Sequence, residues 1–458
     1  MERTLVADTI NKVGQTVTLK GWVNIIREHG KVVFVDLRDR SGIIQIIFWG
    51  ELASLAKTLG VEDVLEIEGL VKQRSDSTIN SEIETGSVEI EAQKLVILNK
   101  SKTPPFEINK DTSNVDESVR LKYRYLDLRS ARVKKNLKLR SEFIQRVRNF
   151  LFDQDFIEIE TPLLTKSTPE GSRDFVVPSR LQPGNFYALP QSPQQYKQLL
   201  MTAGFEKYFQ TARAVRDEDL RADRGFEHTQ IDLEMSFVER DDVMDLVEEM
   251  IITVVEGMGF TIKEKPFPRI TYKESMEKYG ADKFDLRTEE DKKNGILAYA
   301  WVIEFPFFEK TDDGKWTFSH NPFSMPIPEH LNWLMEGKNI EEIITTQYDL
   351  ICNGYESGGG SIRAHKPEIL EAIYQIMGYS EEEIQESVGH MLEAFGLGTP
   401  PHGGIAVGVE RSIMNLTGEK YLREVQAFPM TGNGQTSVMD APSSLSEKQL
   451  KELNLKIV

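Results

Sequence analysis

The densest run of polar side chains lies between Phe209 and Phe237, in the segment FQTARAVRDEDLRADRGFEHTQIDLEMSF. Both edges of this segment alternate apolar and polar residues and a charged loop joins them, which predicts a β-hairpin. On the second strand Gln230, Asp232 and Glu234 are spaced two apart and therefore share one face. Because polar groups on an inward face need partners, the pattern favours a binding site over a surface hairpin with scattered ion pairs.

Two glycine-rich segments add further charges. In HGGIAVGVERSIMNLTG, small residues on a predicted strand allow close backbone approach, and Arg411 opens the helix that follows. An arginine at such a junction suits a phosphate or a flat ring, and it equally suits a structural ion pair. In YDLICNGYESGGGSIRAH the glycine triplet between Glu356 and Arg363 predicts a tight turn, either at a cleft or on a plain surface.

A fourth stretch, ALPQSPQQYKQLLM, predicts a helix whose first turns carry three glutamines and Lys197. Taken alone, these side chains favour a solvated helix face over the wall of a pocket. The sequence contains no G-x-x-x-x-G-K-[ST] motif and no G-x-G-x-x-G after a strand. Neither a P-loop nor a Rossmann nucleotide site is therefore indicated.

The elements that must position these residues fall into two groups. Three predicted strands, a short helix GELASLAKTLG and two more strands follow the order of an OB-fold. The same strand count would also suit another kind of small β-barrel. A proline-rich polar stretch over 101–118 marks a boundary. Beyond it, a long amphipathic helix over Lys134–Phe152, packing helices over 241–259 and 380–395, and glycine-punctuated strands predict an α+β domain.

The composition is that of a globular protein. The chain has 458 residues, of which 40% are hydrophobic and 28% charged, with a formal net charge of −18. That charge argues against a polyanionic partner. However, the segment from Arg120 to Arg140 contains nine basic residues and one acidic residue. Such a segment is either a solvated helix face or a surface that contacts phosphates. A single cysteine, Cys352, excludes an internal disulfide and a thiolate metal site. With no membrane-length apolar run and no signal-like start, the sequence predicts a cytoplasmic protein.

Together these segments resemble one known family over nearly the whole chain. FIEIETP, RAVRDEDLRADRGFEHTQID and GIAVGVERSIM are similar to motifs 1, 2 and 3 of the class II aminoacyl-tRNA synthetases. EGSRDF, LPQSPQQYKQLLM, YDLICNGYESGGGSIR, GTPPHGG and VQAFPM narrow the resemblance to the bacterial-type aspartyl-tRNA synthetases. The resemblance implies an OB-fold anticodon-binding domain over 1–102, a linker over 103–130, and a class II catalytic domain, an antiparallel sheet flanked by helices, over 131–458.

The resemblance implies an enzyme that activates L-aspartate with ATP and Mg²⁺ to aspartyl-adenylate. It would pass the aspartyl group to the 3′ end of tRNA(Asp), with tRNA(Asn) as a further candidate. Motif 1 around Pro162 implies a homodimer. Two alternatives stay open: an asparaginyl-tRNA synthetase, which Lys197 and Arg363 oppose, and a catalytically silent tRNA-binding paralogue, which a complete set of ATP residues opposes.

The resemblance also assigns roles to residues of this chain. Its catalytic residues would be Arg216 and Arg411. Arg216 would stabilise the charge that develops on the α-phosphate, and Arg411 would cover the adenine ring and the γ-phosphate. Arg363 would grip the substrate side-chain carboxylate bidentately beside Lys197, and Asp232 would offset Lys197. The residues assigned to ATP are Arg216, Glu218, His228, Glu356 and Arg411, and those assigned to Mg²⁺ are Asp349 and Glu356. The residues assigned to aspartate are Glu170, Ser192, Gln194, Lys197, Gln230, Asp232, His320 and Arg363.

The resemblance implies that the OB-fold reads the tRNA anticodon. Phe34 would stack on a base, unless it belongs to the barrel core. His29 lies in the loop where family members differ in charging tRNA(Asn), and it slightly favours the relaxed type. The residues assigned to tRNA are Arg27, His29, Phe34 and Gln45.

The sequence departs from the family pattern in three places. The large insertion domain that follows motif 2 in bacterial members is replaced by a short stretch between Arg287 and Trp301. His320 matches the first of two adjacent histidines, but Asn321 replaces the second, which puts a substrate or lid contact in doubt. VERSIM stands in place of LDRL and keeps the motif arginine.

Overall fold

The computed structural model describes residues 2–167 and 171–457. The chain divides into two compact units, Met1–Arg132 and Val133–Val458. None of the helices in the described ranges is both long and apolar enough to cross a membrane.

The first unit is built around a small β-barrel. Its strands are β1 (Thr16–His29), β2 (Val32–Arg38), β3 (Ile43–Phe48), β4 (Val64–Gln73) and β5 (Val88–Asn99). Its helices are α1 (Gly50–Ala56), α2 (Glu117–Lys122) and α3 (Arg124–Asp127), with 3₁₀ turns at Val6–Lys12 and Asp76–Thr78. The strands close in the order β1-β2-β3-β5-β4, with β3 and β5 parallel. The OB-fold strand order is therefore confirmed.

The alternation within β2 decides which of its side chains form the barrel core. Val33, Val35 and Leu37 are fully buried, while Phe34 and Asp36 point outward and are only half-buried. Side chains of a strand alternate between faces, so the barrel interior takes every second residue. The alternative interpretation of Phe34 as a core residue is wrong.

The second unit combines one large sheet with flanking helices. Its strands are β6 (Ile157–Glu158), β7 (Val176–Pro178), β8 (Phe186–Ala188), β9 (Lys207–Val215), β10 (Glu227–Ser236), β11 (Arg269–Thr271), β12 (Tyr299–Ile303), β13 (Phe308–Lys310), β14 (Trp316–Phe318), β15 (Tyr348–Cys352), β16 (Tyr355–Ile362) and β17 (His402–Gly408). Its helices are α4 (Ala131–Asp153), which begins at the unit boundary, α5 (Gln194–Thr202), α6 (Arg240–Gly257), α7 (Tyr272–Tyr279), α8 (Glu289–Lys293), α9 (Leu331–Glu336), α10 (Pro367–Ile376), α11 (Glu381–Phe395), α12 (Val409–Thr417) and α13 (Glu447–Glu452). Short 3₁₀ turns lie at Pro328–His330, Ile340–Glu342 and Leu422–Val425.

The sheet has eight strands in the order β11-β12-β15-β16-β17-β10-β9-β6. Its central strands are antiparallel, and only the two edge strands, β11 and β6, pair in parallel. One face of β10 enters the main core through Ile231, Leu233 and Met235, alongside residues of α4 and α6. The other face of β10 carries Gln230, Asp232 and Glu234, all buried. The polar inner face predicted for this hairpin is confirmed.

The glycine triplet Gly358–Gly360 lies inside β16, so the predicted tight turn at the triplet is wrong. The turn sits at Asn353–Gly354, where both residues have positive φ. The triplet is needed for close approach between strands, because a Cβ on Gly360 would come 2.2 Å from the carbonyl oxygen of Gly404. Glycine in a strand signals close backbone approach as readily as it signals a turn.

Gly404 on β17 occupies the tightest point beside the polar face of β10. A Cβ at this position would lie 2.1 Å from the carbonyl oxygen of Leu233 and 2.2 Å from Oε2 of Glu234. The close approach predicted for the small residues of this strand is confirmed. Gly404 therefore leaves the space that the Glu234 carboxylate fills.

We predict that Gly404→Ala destabilises the second unit by about 3 kcal/mol, because the added methyl group overlaps both a backbone oxygen and a buried carboxylate. Gly408→Ala, on the same strand, is the control: its Cβ would meet nothing nearer than the carbonyl oxygen of Ser357 at 3.7 Å. Urea unfolding measures both variants. Equal stability of the two would contradict the steric argument.

Candidate active site

One cavity of about 690 Å³ in the second unit brings together most of the residues predicted from the sequence. Strands β10, β16 and β17, the start of α5 and the loop after β9 form its walls. The predicted residues that line it are Ser192, Gln194, Lys197, Arg216, Glu218, His228, Gln230, Asp232, His320, Glu356, Arg363 and Arg411. Asp349 is buried next to Gly359, which lines the cavity. Glu170 lies outside the described residues.

Four buried charges, here called the floor, lie at this cavity: Lys197, Asp232 and Arg363 line it, and Glu234 pairs with both cations. Lys197 Nζ lies 2.9 Å from Oδ2 of Asp232 and 3.2 Å from Oε2 of Glu234. Arg363 contacts the same Glu234 carboxylate through Nε at 2.8 Å and Nη2 at 3.0 Å. None of the four side chains is more than 3% exposed. The two cations and two carboxylates compensate each other within the protein.

The hydrogen bonds of Arg363 change the predicted mode of substrate binding. Its Nε and Nη2 edge, the fork that would grip a carboxylate bidentately, is already taken by Glu234, and Nη2 also donates to the Gly404 carbonyl at 3.2 Å. Nη1 donates one of its two hydrogens to Ser361 Oγ at 2.9 Å. The structure therefore does not support a bidentate grip by Arg363. Only one N–H on Arg363 Nη1 and one on Lys197 Nζ are left over for a ligand.

Burial and charge act differently on the two floor carboxylates. Burial opposes ionisation of Glu234, but Arg363 and Lys197 outweigh it and lower the pKa of Glu234 to about 2. Burial raises the pKa of Asp232 above its ordinary value despite the charge of Lys197. Among the described residues, Asp232 Oδ1 and Gln230 Nε2 have no partner in hydrogen-bonding geometry, although Tyr208 lies close to Asp232 and His228 close to Gln230. Buried polar atoms without partners beside a cavity favour a ligand that supplies them.

The glutamines of the ALPQSPQQYKQLLM segment are packed against the protein. Gln191 exchanges hydrogen bonds with the backbone of Ser172, at 3.1 and 2.8 Å, and donates to Asp174 Oδ1 at 2.6 Å. Gln194 Nε2 donates to Gln198 at 3.1 Å, and the Gln195 oxygen pairs with His390 at 2.8 Å. The solvated helix face favoured for this segment taken alone is wrong, because the segment is a wall of the cavity.

The loop after β9 places Arg216 and Glu218 in the wall of the cavity. Arg216 Nε donates to the carbonyl of Gln191 at 3.2 Å, and Nη1 lies 4.0 Å from Glu218 Oε1. Glu218 accepts a hydrogen bond from Ser172 Oγ and pairs with Arg224 at 3.1 Å. The Arg216 side chain remains 37% exposed, which leaves its guanidinium accessible to an anion.

His228 lies between three arginines at the start of β10. Burial, and then the charges of Arg216 and Arg411, lower the pKa of His228 to about 3. The imidazole is therefore neutral at physiological pH. A neutral ring suits stacking or hydrogen bonding better than pairing with a phosphate charge.

A second charged group surrounds Glu356. Arg411 Nη1 donates to the Glu356 carbonyl at 3.0 Å and lies 3.7 Å from its Oε2, while Arg411 Nη2 pairs with Asp223 at 3.1 Å. Lys283 Nζ lies 2.8 Å from the same Oε2. Burial opposes ionisation of Glu356, but Lys283 and Arg411 outweigh it and lower the pKa of Glu356 to about 2. Glu356 is thus a carboxylate held by two cations.

Asp349 contributes a buried carboxylate near His320. Its Oδ1 accepts from Gln347 Nε2 at 2.8 Å, and its Oδ2 lies 3.5 Å from His320 Nε2 without a hydrogen-bond partner among the described residues. Burial raises the pKa of Asp349 despite the nearby His320. Burial opposes the charged form of His320, but Asp349 outweighs it and raises the pKa of His320. Asp282, His320 and Asp349 place ligand atoms within 4.8 Å of one another.

The structure gives Asn321 a local role. Its Oδ1 accepts from the Phe323 amide at 3.0 Å and from Ser324 Oγ at 3.2 Å, and its Nδ2 donates to Gln347 at 3.3 Å. Through Gln347, Asn321 is linked to Asp349. The residue that replaces the second histidine therefore holds the loop beside the cavity.

Sequence reasoning missed two charged partners in this site. The sequence places Glu234 on the polar face of β10 but assigns it no function. Its spacing of two residues from Asp232, which puts both on one face, could have indicated a shared role. Lys283 comes from the loop after α7, and no motif in that loop marks it. Both act through residues that lie far away along the chain.

The residues assigned to tRNA lie on the outer face of the barrel in the first unit. Arg27 donates to Asp36 at 2.8 Å and to Gln45 at 3.1 Å, and Gln45 donates to Glu89 at 3.1 Å. The rings of His29 and Phe34 meet edge to face with centroids 6.0 Å apart. A half-exposed aromatic beside a cation and an amide is typical of single-stranded nucleic-acid recognition.

Comparison with known proteins agrees with this arrangement. The family described as tRNA synthetases class II (D, K and N) matches residues 116–432, and the OB-fold nucleic acid binding domain family matches residues 17–98. The aspartate–tRNA ligase of Staphylococcus saprophyticus is 39% identical, with 98% of each chain covered. That of Staphylococcus aureus is 38% identical, with 97% of each chain covered.

Solved structures with a similar fold include synthetases named for two different amino acids. A putative aspartyl-tRNA synthetase from Leishmania major has a TM-score of 0.77 at 20% identity and covers 93% of this chain and 94% of its own. An Entamoeba histolytica asparaginyl-tRNA synthetase with asparaginyl-adenylate has a TM-score of 0.75 at 24% identity, covering 94% and 98%. At these identities the likeness establishes the fold, and the amino acid has to be argued from the site.

The alignment with the Staphylococcus saprophyticus protein spans 578 positions, whereas this chain has 458 residues. At least 120 aligned positions therefore have no counterpart here. In this chain, residues between Arg287 and Trp301 form only α8 and a short connection into β12.

We predict that Glu234→Gln lowers the free energy of unfolding by about 3 kcal/mol at pH 7, because two buried cations lose their shared carboxylate. The folded-state pKa of Glu234 is below its ordinary value of 4.5, so its stabilisation is complete above about pH 4.5 and is lost as the pH falls towards 2. The difference from wild type should therefore narrow by about 1 kcal/mol at pH 3.5.

Denaturant unfolding at pH 7 and pH 3.5 measures this effect. Glu264→Gln removes an exposed carboxylate and serves as the control. A difference between wild type and Glu234→Gln that is small, or that does not depend on pH, would contradict the assigned ion pairs.

Proposed function

The chain belongs to the class II tRNA synthetases (D, K and N), and from this premise we propose that it is an aspartate–tRNA ligase. It activates L-aspartate with ATP to aspartyl-adenylate and transfers the aspartyl group to the 3′ end of tRNA(Asp). The relatives at 38–39% identity that carry this name support the proposal. The observation that carries it is the floor of buried charges around Glu234.

The charged floor is suited to a carboxylate side chain. Aspartate and asparagine have nearly the same shape, so discrimination between them has to use charge. Both Lys197 and Arg363 line the cavity, and Lys197 Nζ and Arg363 Nη1 each have one N–H beyond those used within the protein, so a substrate carboxylate would accept from both. An asparagine amide would present its NH₂ group to one of these donors, which leaves mispaired buried groups and disfavours it strongly.

The amino and carboxyl ends of the substrate have their own candidate partners. Among the residues that the structure describes, Asp232 Oδ1 and Gln230 Nε2 make no hydrogen bond, and they would accept from the substrate ammonium group and donate to the α-carboxylate. Ser192 and Gln194 line the same part of the cavity. These contacts would hold the α-carboxylate towards Arg216.

In the activation step, the α-carboxylate oxygen attacks the α-phosphorus of ATP and the bond to the pyrophosphate oxygen breaks. Arg216 stabilises the negative charge that develops on the α-phosphate. His228, as a neutral ring, and Arg411 flank the adenine, with Glu218 at its edge. Transfer follows when a hydroxyl of the terminal ribose attacks the carbonyl carbon and AMP leaves. Neither step needs a protein nucleophile, because positioning lowers the barrier.

The site fits the Mg²⁺ that this chemistry implies. Asp349 Oδ2 is a buried oxygen without a hydrogen-bond partner among the described residues, and Glu356 is ionised. Carboxylate oxygens are the ligands that Mg²⁺ prefers, so Asp349 and Glu356 would hold it. When bound, the ion would neutralise negative charge on the phosphates.

We further propose that the protein is a cytoplasmic homodimer with the domains expected from the sequence: an anticodon-binding domain over 1–102, a linker over 103–130 and a catalytic domain over 131–458, without the large insertion. Around Pro162 the side chains of Phe152, Ile157, Leu163 and Leu164 are each about half exposed. Exposed large apolar side chains close together in the sequence are consistent with a subunit interface. Burial of these side chains in a dimer would remove their contact with water.

We predict that the purified protein catalyses ATP–pyrophosphate exchange that depends on L-aspartate. Arg216→Ala should lower the exchange rate by about 100-fold or more, because the α-phosphate loses its stabilising cation. Arg269→Ala is the control, since its side chain is similarly exposed, 35% against 37%, and pairs with Asp241 and Asp245 away from the cavity. Exchange that depends on asparagine would identify the sister enzyme, and no exchange beside strong tRNA binding would identify a silent paralogue.

We predict that Phe34→Ala raises the KM for tRNA(Asp) by about tenfold or more, because stacking on a base is lost. Amino-acid activation should be unchanged. Trp49→Ala, which removes another half-exposed aromatic of the same unit, is the control. Aminoacylation of purified tRNA(Asp) and tRNA(Asn) by each variant also shows whether both tRNAs are substrates, as His29 favours. An unchanged KM for Phe34→Ala would contradict its role.

A further inference from the structure

Two adjacent residues, Asp282 and Lys283, reach the two carboxylates that would hold the metal ion. They lie in the loop after α7, outside every motif of the family resemblance. Lys283 Nζ is 2.8 Å from Glu356 Oε2, and Arg411 Nη1 is 3.7 Å from the same oxygen. Asp282 lies with His320 and Asp349 in the group whose ligand atoms are within 4.8 Å of one another.

The two carboxylates are therefore in different states. Asp349 Oδ2 is buried and makes no hydrogen bond among the described residues, and His320 Nε2, at 3.5 Å, holds it less closely than Lys283 holds Glu356 at 2.8 Å. Glu356 Oε2 already carries an ammonium group at contact distance. An ion that bridges both residues has to replace that ammonium group.

We propose that Lys283 is a resident cation that neutralises Glu356 in the nucleotide-free site and competes with the divalent ion for this carboxylate. The proposal rests on the proposed function, since it concerns the same metal site. Lys283 acts through Glu356 and is a positioning residue.

The competition has a consequence for the order of binding. A lysine that must be displaced keeps the affinity of the nucleotide-free site for a divalent ion low. ATP adds phosphate oxygens as further ligands, which favours displacement of the lysine. The ion would then bind mainly together with ATP, and the charge at Glu356 would remain compensated at every stage.

The test is direct binding of Mn²⁺, as a spectroscopic substitute for Mg²⁺, measured by electron paramagnetic resonance without ATP. Lys283→Met should tighten Mn²⁺ binding by about threefold to tenfold, because a partly exposed ion pair no longer competes. Lys283→Arg keeps the positive charge and should bind more like wild type. Lys265→Met is the matched control: it breaks a 2.5 Å pair with Glu256, and Lys265 is 42% exposed compared with 38% for Lys283.

A double variant separates competition from general charge repulsion. In a Glu356→Gln background the lysine has no carboxylate to occupy, so Lys283→Met should no longer change the Mn²⁺ affinity. If Lys283→Met fails to tighten binding, or tightens it equally in the Glu356→Gln background, the proposal is wrong. Thermal unfolding shows that each variant is folded. Failure of the proposed function would appear separately, as absence of aspartate-dependent exchange by the wild-type protein.

Discussion

The carboxylate of Glu234 is the interaction on which the rest of the catalytic cavity depends. It accepts from Arg363 on one side and lies 3.2 Å from Lys197 on the other, and it is fully buried. A buried charge without partners is strongly unfavourable, so the three groups have to be positioned together. The position of Glu234 is set by the pairing of β10 with β17, where it lies opposite Gly404. The absence of a side chain at Gly404 then gives the carboxylate its space.

The two ends of the cavity use charge in different ways. At the floor, the ion pairs are buried and internally compensated, and they leave only a few donors and acceptors aimed at a ligand. Such preorganised groups need little rearrangement when a substrate binds. At the phosphate end, Arg216 remains accessible, while Arg411 and Glu356 are paired with Asp223 and Lys283. These pairs are more exposed than those of the floor, as the proposed exchange for a nucleotide and its cation requires.

Sequence patterns predicted the parts of the molecule that depend on local periodicity. The alternation in the barrel strands gave the OB-fold order, and the spacing on β10 placed Gln230, Asp232 and Glu234 on one face. The partners of Glu234 could not be predicted in this way, because Arg363 lies 129 residues further along the chain and meets it only through strand register. The glycine triplet was misinterpreted because close packing and turns both call for glycine.

Interactions made by loops were the hardest to predict. Gln191 holds a loop 19 residues earlier in the chain, and nothing in the ALPQSPQQYKQLLM pattern distinguishes that role from solvation. Lys283 reaches Glu356 from a segment with no recognisable motif. Family resemblance predicted a set of residues that the structure largely brings together around one cavity, whereas the supporting charges required the three-dimensional arrangement.

The central claim is that the buried charges around Glu234 select a carboxylate side chain. Isothermal titration calorimetry of the wild-type protein with L-aspartate and L-asparagine, without ATP, tests it most directly. The arrangement predicts that aspartate binds more tightly by a factor on the order of 10³ or more, because asparagine leaves buried donors mispaired. Affinities for the two amino acids within tenfold of each other would contradict it.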